Sequence, residues 1–98
     1  MKKKQQKAID KIMDWFDFSK VHQTMVALEW KWASAEDGVP TEPEIRGMAR
    51  RLMEDAINQK VSIGTGGFRV HYDKKDDFIS LSFVISEWEE SFKKKLVI

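Results

Sequence analysis

The sequence predicts a small α+β domain: two long helices, preceded by a short N-terminal helix, pack on an antiparallel β-hairpin, and a short C-terminal helix closes the chain. Three observations predict it. Apolar side chains recur at helical spacing as far as residue 59, the period changes to two from Val61 onward, and 98 residues leave room for a single core.

Ile9, Ile12, Met13 and Phe16 fall at i, i+3, i+4 and i+7, which predicts an amphipathic helix over residues 5–16 with a polar face made mostly of lysine. Phe18, Val21, Met25, Leu28 and Trp32 step by three and four and predict a second helix over 18–35, with Asp17 or Ser19 as its cap. Trp30 lies off that stripe, in line with Val26 and His22. This helix is therefore expected to bury two faces, the second either under the N-terminal segment or at an interface.

"AEDGVPTEPEI" reads as a linker, Gly38 ending one helix and Pro40 holding the chain extended. Thr41 and Glu44 then form a capping box, with Pro43 tolerated in the first turn. Ile45, Met48, Ala49, Leu52, Ala56 and Ile57 predict the inner stripe of a helix over 42–59, and Arg46, Arg50 and Arg51 its outer side. Gly47, in mid-helix, is expected to accommodate a large ring from the tryptophan-bearing helix.

Beyond Val61, Phe68, Val70 and Tyr72 point one way and Arg69 and His71 the other. After the turn "DKKDD", Ile79, Leu81, Phe83 and Ile85 share one face, and Ser80, Ser82 and Ser86 the opposite one. "SEWEESF" offers a second capping box, Ser86 to Glu89, and places Trp88 and Phe92 four apart, so a short closing helix is expected. A two-stranded sheet is marginal alone, and the serine-rich face suggests a homo-oligomer formed by sheet extension or stacking through Ser80 and Ser82.

Composition divides the chain into a lysine-rich N-terminal segment (1–15), one α+β domain (16–92) and a basic C-terminal tail (93–98). Six Phe, four Trp and one Tyr supply the apolar weight for a core without staples, each ring burying roughly 150–250 Å². The chain has no cysteine, which excludes disulfides, thiolate metal sites and thiol nucleophiles and fits a reducing cytoplasm. No apolar run approaches the roughly 20 residues of a membrane span, and the lysines of "MKKKQQKAIDKIMDWF" precede no unbroken apolar stretch, so neither a membrane anchor nor export is expected.

The formal net charge of +1 hides a segregation: residues 16–92 hold nine basic and fourteen acidic groups, while lysine concentrates at both ends. An acidic body is a poor match for a nucleic-acid duplex, and the lysine runs read as solvated ends.

Little here supports catalysis. His22 and His71 are the only imidazoles and lack metal-ligand spacing, so no metal, no cofactor and no catalytic residue is assigned. "GTGGF" satisfies neither phosphate-loop pattern, and it runs into a strand instead of a helix. Two readings of it remain open: a β-bulge or tight helix-to-strand turn, or a nest of main-chain N–H groups for an anion with Thr65 adding a hydroxyl. Arg69 and His71 project from the strand that follows, and Arg46 and Arg50 from the preceding helix. If helix and strand lie side by side, these cations frame a pocket floored by the glycine loop and walled by Trp30 or Trp32. Arg50 and Glu54 at i, i+4 are the competing pair.

The segments "FDFSKVHQTM", "LEWKW", "GVPTEPEI", "GTGGF" and "LSFVISEWE", together covering about residues 15–90, resemble a group of small uncharacterised bacteriophage accessory proteins. The resemblance implies a phage product acting in the cytoplasm of the infected host, and it supplies no catalytic residue.

The reading that follows is a non-enzymatic, oligomeric binding protein. It captures a small anionic, nucleotide-like ligand, such as a host defence signal, through Thr65, Gly66, Gly67, Arg69, His71, Arg46 and Arg50, with Trp30, Trp32, Ser80 and Ser82 as interface residues. The alternative is a protein–protein inhibitor of a host enzyme that docks through the off-stripe tryptophan, and a third is weak DNA binding through the basic ends.

Overall fold

A computed structural model describes residues 1–30 and 38–84. The expectations that fall on Trp32, Ile85, Ser86, the closing helix and the C-terminal tail lie outside the described residues. Three helices, α1 (Lys3–Trp15), α2 (Phe18–Ala27) and α3 (Glu42–Gln59), precede three strands, β1 (Ile63–Thr65), β2 (Phe68–Asp73) and β3 (Phe78–Phe83). The strands form one antiparallel sheet in the order β1-β2-β3. The expected two-stranded hairpin is therefore a three-stranded sheet.

The Thr41–Glu44 box starts α3 as its sequence dictates. Glu44 Oε1 accepts from the Thr41 N–H at 3.1 Å and from the Thr41 hydroxyl at 2.8 Å. The chain leaves α3 through Lys60, which sits in the left-handed region at φ 57°, while the Val61 N–H reaches back to the Ala56 carbonyl at 3.1 Å. Ile45, Ala49, Leu52, Met53, Ala56 and Ile57 are buried along α3, which packs against α1, α2 and all three strands. This helix is the axis of the fold.

Asp17 caps α2 by accepting the Lys20 N–H at 3.0 Å. The helix then stops at Ala27, eight residues short of the expected end at 35. Glu29 turns left-handed at φ 51°, and the Trp30 N–H bonds back to the Met25 carbonyl at 2.8 Å. The helix ends because the chain folds over at this point, turning Trp30 onto its own core and leaving Val26 exposed.

The core is one apolar cluster. Ile9, Ile12 and Met13 of α1 belong to it with Phe16 and Phe18, so the folded body reaches back into residues 1–15, which composition had set apart. Phe68 stands at its aromatic centre, fully buried, with ring centroids 5.0 Å from Phe83, 6.2 Å from Phe16 and 6.3 Å from Phe18, all tilted. Gly47 faces no such ring: no heavy atom of the described residues lies within 4 Å of a Cβ built there.

Candidate ligand-binding face

"GTGGF" turns one strand into the next. Thr65 pairs with Phe68, leaving Gly66 and Gly67 as a two-residue hairpin loop with φ of 60° and 92°. Two successive left-handed residues define a type I′ turn, whose twist suits the flanking strands, and glycine adopts it without steric penalty. The local rationale is hairpin geometry, in place of the bulge or helix-to-strand turn considered from the sequence. The Gly67 carbonyl also accepts from the Val84 N–H at 2.7 Å, which ties the turn to the end of β3.

That turn fixes which side chains share a face. Gly64 pairs with Arg69, and Arg69 with Ser82; His71 pairs with Ser80, and Asp73 with Phe78. Cross-strand partners point the same way, so Arg69, His71, Ser80 and Ser82 lie together on the face turned away from α3, while Phe68, Val70, Leu81 and Phe83 are buried beneath. The serines expected at an interface and the cations expected at a ligand thus occupy one surface. It forms an open depression of about 460 Å³, lined also by Ser62 and Gly64.

The floor is low because small residues surround the two cations. A Cβ at Gly64 would stand 3.5 Å from Arg69 Cγ and 3.3 Å from the Phe68 carbonyl oxygen, so glycine there leaves space beside the arginine stem. Ser62 substitutes for the missing end of β1: its hydroxyl accepts the Tyr72 N–H at 3.1 Å and lies 3.3 Å from His71 Nδ1. Arg69 makes no ion pair among the described residues.

Other members of the expected pocket are elsewhere. Thr65 pairs with Phe68 and so belongs to the opposite face from Arg69. Arg46 lies with its guanidinium carbon 4.9 Å above the Phe18 ring and pairs with Glu42 at 3.3 Å. Arg50 bonds Asp10 at 2.9 Å, joining α3 to α1, and does not pair with Glu54. Both arginines stand in the helical layer, with α3 packed on the inner side of the sheet, so helix and outer face do not frame one pocket. Trp30 is half-buried against its own core and is not a wall of this face. Ser62 and Gly64 do not stand out in the sequence, because a three-residue strand that contains a glycine gives no readable alternation.

Electrostatic perturbation gathers away from this face. The Arg50 hydrogen bond lowers the pKa of Asp10, the Thr41 backbone hydrogen bond that of Glu44, and the Gln5 side chain that of Asp77. Tyr72 is raised, chiefly by its hydrogen bond to Asp77. Among the described residues no three His, Asp or Glu side chains are grouped to hold a metal ion, and no helix is long and apolar enough to cross a membrane. Compared with known proteins, the chain matches no family model, no curated sequence and no solved structure.

Proposed function

We propose that this protein is a non-enzymatic binding protein whose outer sheet face takes a small anionic, nucleotide-like ligand. The register carries the reading: Arg69 and His71 stand side by side over a floor of Gly64, Ser62, Ser80 and Ser82. A guanidinium fork offers paired donors to a phosphate, the imidazole adds a third, and serine hydroxyls serve either a ribose or a base edge. The resemblance to phage accessory proteins favours a host defence signal as the ligand, in the cytoplasm of an infected cell. The same face would accept a second copy of the chain, and a homo-oligomer of this kind would enclose the ligand between two sheets.

Isothermal titration with a panel of cyclic mononucleotides and dinucleotides tests the reading. It requires binding to at least one, with affinity falling about ten-fold in Arg69→Gln at unchanged melting temperature. If no member of the panel binds, ligand capture at this face is wrong.

A second reading rests on Phe78, 55% exposed on the same face. An exposed aromatic ring on an open sheet face suits a protein partner, in which case the chain inhibits a host enzyme by docking. Phe78→Ala would then abolish recovery of that enzyme from lysate while leaving nucleotide titrations unchanged.

A further inference from the structure

A larger cavity lies on the other side of the sheet. It measures about 680 Å³ and is walled by Lys2 before α1, Asn58 and Lys60 at the end of α3, and Tyr72, Lys74 and Asp77 from the β2–β3 hairpin. Tyr72 pairs with Ile79 and so faces opposite to His71, which separates this cavity from the outer face. Three segments distant in sequence each bring one lysine to it. Among the described residues none of the three ammonium groups forms an ion pair.

The single carboxylate in the wall is already engaged. Asp77 Oδ1 accepts from Gln5 Nε2 at 3.0 Å and from the Tyr72 hydroxyl at 2.9 Å, an arrangement that locks the hairpin loop to α1. Three lysine ammonium groups stand around one engaged carboxylate, so the side chains that line the cavity are positive in sum. Three exposed cations that line one depression raise the local concentration of a multivalent anion. Lys60 and Asp77 both stand at positive φ, 57° and 51°, the first as the left-handed cap of α3 and the second in the β2–β3 turn, which fixes where each enters the wall. Ile57 and the Tyr72 ring add an apolar wall.

We propose that this cavity binds a phosphate-bearing small molecule. Lys2, Lys60 and Lys74 take the phosphate oxygens, Asn58 donates beside them, and the Tyr72 ring borders the organic body. The proposal does not rest on the outer-face reading.

Inorganic pyrophosphate and AMP are the probes, followed in the intact protein by amide chemical-shift mapping and by titration at low and high salt. Shifts are expected at Lys2, Asn58–Lys60 and Tyr72–Asp77 with none at Arg69, and affinity should fall as salt rises. Tighter AMP than pyrophosphate binding means that the organic body is recognised; equal or weaker AMP binding narrows the ligand to the phosphate itself. Lys60→Gly relieves the left-handed position while removing the cation, and Lys74→Gln lies in an exposed loop, so both variants keep the fold. Each should weaken binding about three- to ten-fold. Asp77→Asn keeps an acceptor oxygen and suits positive φ, and by removing the opposing charge it should tighten binding by a similar factor. A purely structural cluster gives no such opposite signs. Absent binding, unchanged affinity in Lys60→Gly and Lys74→Gln, weaker binding in Asp77→Asn, or shifts confined to the Arg69 face would each overturn the proposal.

Discussion

Replacing Phe68 by alanine is the strongest single perturbation the packing allows. The side chain is fully buried, and its ring meets three others at 5.0, 6.2 and 6.3 Å. Truncating a buried phenylalanine typically costs about 3–5 kcal/mol through lost transfer energy and the cavity left behind. The Phe83 contact, near the optimum for tilted rings, adds about 0.5–1.5 kcal/mol beyond area, which places the loss toward the upper end. A domain of this length is stable by only about 5–15 kcal/mol, so the variant should retain a marginal fold whose melting temperature has dropped by about 15–30 °C. Urea unfolding followed by tryptophan fluorescence measures it directly. Phe78, on the same sheet but 55% exposed, is the control, and its alanine variant should stay within about 0.5 kcal/mol of the parent. A loss below about 1 kcal/mol in Phe68→Ala, or equal losses in the two variants, would refute the assignment of inner and outer faces from which the candidate site was built.

Gly47→Ala fills open space on an exposed turn of α3 and should raise stability by about 1 kcal/mol, read as a higher urea midpoint at unchanged slope. Gly67→Ala places a Cβ at φ 92° in the hairpin turn and should lower stability by about 1–2 kcal/mol, whereas Gly66→Asn, a residue that tolerates left-handed backbone, should be nearly neutral. Asp10, Glu44 and Asp77 have folded pKa values below their ordinary ones of 3.8, 4.5 and 3.8, so their contribution is complete above those values and falls away as pH drops through the lower folded values. Acid titration by circular dichroism should therefore show stability flat from neutrality to about pH 5 and declining below it, with a shallower decline in Asp77→Asn.

The parts of the fold legible in the sequence are those where local signals do not conflict. The Thr41–Glu44 box and the stripe from Ile45 to Ile57 fix α3 to the residue at its start, because capping and amphipathic period agree there. The faces of β2 and β3 follow from alternation alone. What eluded the sequence depends on tertiary geometry. The end of α2 is set by a left-handed Glu29, a residue with no special preference for that conformation, while the apolar spacing runs on undisturbed to Trp32. β1 has three residues and a glycine among them, too short for periodicity to register. At the site, Arg69, His71, Ser80 and Ser82 were identified individually and their common face was implied by parity. The diversion of Arg46 onto Phe18 and of Arg50 onto Asp10 needed the crossing of α1, α2 and α3, which no local pattern encodes.

The two-glycine loop also has an evolutionary consequence. Because the side-chain period of a strand is two, losing or gaining one residue between Thr65 and Phe68 would rotate every later position by half a repeat relative to β1. The buried Phe68, Val70, Leu81 and Phe83 hold β2 and β3 in place, so the mismatch would fall on β1, where Ile63 is half-buried and Gly64 and Thr65 are exposed. Point changes at this loop are graded in effect, whereas a single-codon deletion would break the register of β1 against β2, so related chains should vary here in residue identity while keeping its length constant.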